Sequence, residues 1–399
     1  MTDDDTMPYR PVNSLAGMLQ RGHGSGARSA LGHPDHAAPL VLDMIRRDWR
    51  WDSTDDRALY LARLVRDLAL PRGPIAALLG EDEQQTERAC EVLELLALDG
   101  DGEAREALRS YVRAGTHWVP VLESLAGRWP VTWWEEFGEV ARERIGAHPD
   151  PLWMTEPWAR FGIPTERCAA RPAAPDLSGP ADGELLALLA TGAGDRTASL
   201  RELARRAPTE ELLPLVPSLA TPDGRRPLPL LRRAVDRLGP AAVPAARRWV
   251  GDERPWLARL GADVLADHLG PEVIPHLVAQ LAEQRAARAW CGPDLTARRL
   301  ARFGPEAAGA AADLRWFWLR TPHSYERAAY LDALAAIVPA GLQQGYLLSL
   351  WDCEEASRLL GVAHAPDGPE VAARLAELRD DPMEEPEVRA SARARLATP

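Results

Sequence analysis

The sequence predicts an all-α protein assembled from helix pairs, and three features predict it. Ala and Leu dominate a 399-residue chain while β-branched runs are almost absent, which favours helices over strands. An apolar–Gly–Pro joint recurs at near-equal intervals, at Leu238-Gly239-Pro240, Leu269-Gly270-Pro271 and Phe303-Gly304-Pro305. Between the joints, apolar residues fall at helical spacing. Val273, Ile274, Leu277, Val278 and Leu281 form one stripe, and Leu257, Leu260, Val264, Leu265 and Leu269 form another.

Gly-Pro suits a junction between helices. Gly takes the left-handed conformation that ends one helix, and Pro opens the next with a preset φ and no N–H to leave unpaired. Pro244 and Pro275 each follow the joint proline by four residues, at the first helical turn. A two-helix unit of this size cannot bury its own apolar face, so units must stack. The segment from Val243-Pro244 through Asp252 to Arg259-Leu260-Gly261-Ala262 resembles a HEAT repeat. Its first helix is opened by Pro, its turn carries Asp, and its second helix opens with Arg and small residues. Glu326-Arg327-Ala328-Ala329 with Leu334, and Pro386-Glu387-Val388-Arg389 with Ala392 and Leu396, resemble the same second helix. The resemblance covers residues 183–399 and implies a right-handed superhelical α-solenoid preceded by an irregular N-terminal helical part.

Taken in order, residues 1–12 are acidic and Pro-containing and are expected to be a disordered tail; residues 13–163 form the irregular helical region. Asn13 is the expected cap of a helix ending near Gln20. Arg21 to Gly26 is Gly-rich, but without a preceding strand or a following Lys-Ser it reads as a loop. Helices are expected over 36–48, 53–70, 74–79, 86–98, 102–114, 118–125 and from Trp129 to Ile145. Asp48, Asp52, Asp55 and Asp56 crowd one helix start and read as caps and solvated charge. Residues 164–182 are the expected Pro-rich linker. The array then runs through helices at 184–190, 197–207, 209–219 and 225–238 and on through the Gly-Pro units to a charged last unit near Leu396.

The net charge is −12, which argues against a general nucleic-acid binder. The chain contains no Lys, so every side-chain cation other than His is Arg. Arg outnumbers Asp and Glu over residues 225–302. There Arg225, Arg226, Arg232, Arg233, Arg237, Arg247, Arg248, Arg254, Arg259, Arg298, Arg299 and Arg302 fall on expected consecutive helices with Trp249, Trp256 and Trp290 between them. A solenoid that aligned them on its concave face would offer a positive strip to phosphates or an acidic partner; ion pairing with Asp236, Asp252, Asp263 and Asp267 is the competing use. Trp49, Trp51, Trp133 and Trp134 form a candidate aromatic patch, with packing of helix pairs as the alternative role.

No nucleotide, metalloprotease or hydrolase motif is present, and neither a cofactor nor a metal site is expected. Cys90, Cys168, Cys291 and Cys353 are far apart, as free thiols in a reducing compartment would be. The acidic N-terminus differs from a secretory signal, and no apolar run would span a membrane. The expectation is a cytoplasmic, non-enzymatic scaffold that binds a protein partner along its concave surface. The alternatives are a nucleic-acid-binding protein similar to HEAT-like alkylpurine DNA glycosylases, which use concave basic surfaces, and a role like that of the HEAT-like proteins that act on bilins.

Overall fold

Short amphipathic stretches separated by Pro, Gly and Asp caps set the helix boundaries in the computed structural model, which describes residues 9–52, 54–80, 82–148, 150–166 and 176–397. Among these residues every regular element is helical and no strand occurs; one isolated bridge joins Ala220 and Pro227.

The N-terminal region begins with α1 (Leu15–Gln20), α2 (Gly24–Gly32), α3 (Pro34–Arg46) and α4 (Ala58–Asp67). Ser14, not Asn13, caps α1 by accepting from the N–H of Gly17. The Gly-rich stretch expected as a loop starts α2 instead. Its glycines serve close approach: a Cβ on Gly24 would collide with the Leu348 carbonyl and one on Gly26 with the α1 backbone. The short α5 (Gly73–Ala76) leads to α6 (Glu83–Leu98), which Asp82 caps. α6 packs against α3, α4, α5, α7 (Gly102–Ala114) and α8 (Trp118–Arg128), so it is the axis of this region. The helix expected to run on to Ile145 is broken into α9 (Val131–Trp134), a 3₁₀ turn and α10 (Gly138–Arg144); α11 (Trp158–Phe161) closes the region.

Of the expected disordered tail, residues 1–8 lie outside the described residues. Tyr9 is held: its hydroxyl donates to the Trp49 carbonyl at 2.5 Å, and the Arg21 guanidinium lies over its ring. The core containing Leu19 to Ile163 gives way to a second core that starts at Leu185. Residues 167–175 of the expected linker lie outside the described residues.

Next come α12 (Asp182–Thr191) and α13 (Arg196–Leu203), which pack as a pair. The helix expected over 209–219 is reduced to two 3₁₀ turns, since Pro214 and Pro217 remove N–H donors. The helix expected from Arg225 begins only at α14 (Leu231–Asp236), because Pro227 and Pro229 disfavour the helical conformation in the residues before them. Regular pairing follows: α15 (Val243–Trp249) with α16 (Pro255–His268), α17 (Ile274–Ala286) with α18 (Pro293–Ala301), and α19 (Ala311–Arg320) with α20 (Arg327–Ile337). α21 (Gln343–Ser349) with α22 (Glu355–His364) and α23 (Pro369–Asp380) with α24 (Pro386–Ala397) complete it. α18, α20, α22 and α24 also pack successively on one another. Gly239 and Gly304 take the left-handed φ, at +56° and +55°, but Gly270 does not.

The first helices also pack on the last ones. Cys353 and Met383 belong to the N-terminal core, α2 touches α21, and the Cys353 N–H donates to the Gly22 carbonyl at 3.0 Å. A buried ionic seam lines this junction. Arg63 donates to Asp381 at 2.8 Å and to Glu384 at 2.9 Å, and Arg358 donates to Glu384 at 2.8 Å. Asp55, expected to be solvated, is fully buried there and accepts from the backbone N–H of Ser324 at 2.7 Å.

Candidate functional site

The arginine-rich stretch does not form one continuous strip. Arg299 is 5% exposed and is held by Asp267 at 2.6 Å and Asp263 at 2.9 Å. Arg232 pairs with Asp263 at 3.0 Å, and Arg298 lies 3.8 Å from Asp294. Arg302 donates to the carbonyls of Ala266 and Leu269, and Arg248 to that of Pro244. Trp249 and Trp256 are core side chains. Trp249, Trp256 and Arg299 therefore leave the candidate surface, because packing and ion pairing already occupy them. Arg225 and Arg226 are exposed but sit in the turn between Ala220 and Pro227, not on a helix. Arg247 and Arg259 are exposed on α15 and α16, and Arg233 is exposed on α14.

Arg233 belongs to a cleft that sequence reasoning missed. Arg201 on α13, Arg205 just after it, Arg233 on α14 and Arg237 at its end line an open cleft of about 660 Å³, with Ala204 and Leu230 as its other walls. No carboxylate lines it. Arg237 is anchored by donating to the Ala204 carbonyl. Arg205 approaches Glu202 only at 3.8 Å, and no ion pair holds Arg201 or Arg233 among the described residues. A signal for this cleft exists in the sequence: Arg201 and Arg205 precede Arg233 and Arg237 by one common interval, close to that of the Gly-Pro joints.

The four candidate tryptophans do not share a patch. Trp134 is 2% exposed and packs edge-on to Phe161, while Trp133 lies under the Arg105 guanidinium. Trp49 lines a small cavity of about 30 Å³ with Asp48, Arg50, Arg57, Arg88 and Glu91. Trp51 meets the His323 ring edge-on at 6.1 Å, so it packs the N-terminal region against the turn between α19 and α20. Trp118, Trp129 and Trp158 are core. Trp153, at 61% exposure, is the aromatic side chain most open to solvent among the described residues and is followed by the exposed Met154.

Among the described residues no group of His, Cys, Asp and Glu is placed to hold a metal ion, and no helix is long and apolar enough to cross a membrane. Cys90 and Cys353 are buried thiols, Cys291 is exposed, and Cys168 lies outside the described residues. The chain matches no known family model, and no curated protein or solved structure matches it.

Proposed function

We propose that this chain is a binding scaffold, a HEAT-like array coiled as a right-handed superhelical solenoid, that captures an acidic segment of a protein partner. The supporting observation is the cleft between α13 and α14, where Arg201, Arg205, Arg233 and Arg237 converge with no carboxylate in the lining. Guanidinium groups left without ion partners in a concave site attract carboxylates and form two-pronged hydrogen bonds to them. The successive packing of α18, α20, α22 and α24 supports the stacked-pair reading. The contact between the first and last helices adds a feature that a simple open array lacks, and it leaves the α13–α14 cleft unobstructed.

A protein partner is preferred to a nucleic acid because the chain carries a net charge of −12 and the cleft is a local basic site, not a long stripe. The test is fluorescence anisotropy with a labelled oligoglutamate peptide and, separately, a labelled DNA duplex. The peptide should bind, and Arg201→Glu with Arg233→Glu should weaken it at least about tenfold while leaving the helical circular dichroism unchanged. Duplex binding that is lost steeply with salt, without peptide binding, would move the assignment to nucleic acid. Binding of neither probe would overturn the cleft as a site for anionic macromolecules.

A further inference from the structure

We propose that Cys291 is an acyl-acceptor site, in which His323 takes the thiol proton and Asp55 holds the imidazole, and that it receives acyl groups from neutral or cationic activated esters or thioesters. This site is independent of the arginine cleft and of what that cleft binds.

Three segments far apart in the chain build it. Cys291 lies exposed in the turn before α18, and Gly292, at φ +103°, makes that turn. His323 lies in the turn between α19 and α20 and is 1% exposed. Asp55 comes from the N-terminal region, just before α4, and is fully buried. Cys291 Sγ lies 3.4 Å from His323 Nε2. On the other side of the same ring, Nδ1 faces Asp55 Oδ2 at 3.9 Å. Both of those buried atoms lack a hydrogen-bond partner among the described residues. With Nε2 accepting from the thiol, Nδ1 carries the ring proton, on the side of the ring nearer the Asp55 carboxylate. Asp55 Oδ1 is fixed by the backbone N–H and the hydroxyl of Ser324, each at 2.7 Å. The His323 ring is clasped by Trp51 and Tyr325, with centroids at 6.1 and 5.1 Å. A nucleophile, a base and an orienting carboxylate on opposite ring nitrogens are the arrangement that activates a weak nucleophile.

The surroundings select the reaction. Burial, followed by the charges of Glu326, Asp52 and Asp294, raises the Cys291 pKa above its ordinary value, so the resting group is a thiol. Peroxides and alkylating agents need a thiolate already formed. Attack on an acyl carbon can instead be coupled to proton removal by a base in contact. In the step, the S–C bond forms as the thiol proton passes to His323 Nε2. The bond from the acyl carbon to the leaving oxygen or sulfur then breaks, and the imidazolium returns the proton to that leaving group. The positive N-terminal end of α18, nine residues long and starting two residues beyond Cys291, favours the negative charge that develops. Asp52 and Asp294 repel anionic substrates, which is why the acyl donor is neutral or cationic.

The experiment treats the full chain with p-nitrophenyl acetate, follows release of nitrophenolate, and locates the acetyl group by peptide mass spectrometry. The acetyl group should be on Cys291. Burial lowers the His323 pKa, against the raising effects of Asp55, Asp52 and Asp294 and together with Arg57. The rate should therefore level off above a midpoint lower than that of an ordinary histidine. His323→Gln should slow acetylation by at least about 100-fold and leave the steady climb with pH of a simple thiol. Asp55→Asn should move the midpoint further down, a readout that a purely structural role would not produce. Acetylation at another residue, equal rates in His323→Gln, or a wild-type rate that climbs through pH 9 without levelling would overturn the proposal. If either variant loses its helical signal, the wild-type pH profile and the Cys291→Ser protein, altered only at an exposed turn, decide the matter alone.

Discussion

Arg327 and Asp352 form a two-pronged ion pair, Nε to Oδ2 at 2.9 Å and Nη2 to Oδ1 at 2.7 Å, in which both side chains are buried. Arg327 also donates to the backbone carbonyls of Arg21 and Gly22. One guanidinium thus joins α20, the turn before α22 and the turn after α1. Arg327 heads α20, and besides the nearby Asp352 it holds two carbonyls from the other end of the sequence.

Removing one partner leaves the other charge buried and unpaired. Asp352→Asn is expected to cost about 3–5 kcal/mol in urea unfolding. Burial alone would raise the Asp352 pKa, but the charge and hydrogen bonds of Arg327 outweigh it and hold the carboxyl below its ordinary 3.8. The stability it contributes is therefore present above pH 3.8 and lost as pH falls through the lower folded value. In Asp352→Asn that component of acid sensitivity should disappear.

Glu326 has the opposite sign. Burial above all, aided by Asp294 and Asp55, pushes it up to about 8 although Tyr330 and Thr321 donate to it. Its ionisation opposes folding, so stability is full below pH 4.5 and declines as pH rises towards 8. Glu326→Gln should gain on the wild type across that interval and hold a constant lead above it, as measured by urea midpoints at each pH.

Gly24 should tolerate no side chain. Gly24→Ala places a Cβ against the Leu348 carbonyl, and backbone cannot yield as a flexible side chain can. The melting temperature should fall, and limited proteolysis should become faster between α1 and α2. Gly32→Ala, where a Cβ meets nothing, is the control and should leave both unchanged.

The tryptophans divide by burial. Trp134→Ala should cost about 3–5 kcal/mol, whereas Trp153→Ala should lie within about 0.5 kcal/mol of wild type. Denaturant unfolding of the two variants separates core from surface.

Helix content was legible because the signals are local. Asp82 and Asp101 cap α6 and α7, Pro244 and Pro275 sit in first turns, and the apolar stripes mark the faces that pack. Misreadings arose where non-local contacts or clustered prolines prevail. Pro227 and Pro229 delay α14, so Arg225 and Arg226 are in a turn, and Gly22 and Gly24 serve a junction with residues more than three hundred positions away. Arg299 looked like part of a basic strip because Asp263 and Asp267 approach it only after folding. The convergence of Asp55, Cys291 and His323 has no sequence signal, since none of the three is within thirty residues of another.

Hydrogen–deuterium exchange with the oligoglutamate probe bound tests the arginine cleft most directly. The prediction is slowed exchange confined to residues 196–206 and 230–238, abolished by Arg201→Glu with Arg233→Glu. Protection centred elsewhere on the chain, or protection that survives those substitutions, would contradict it.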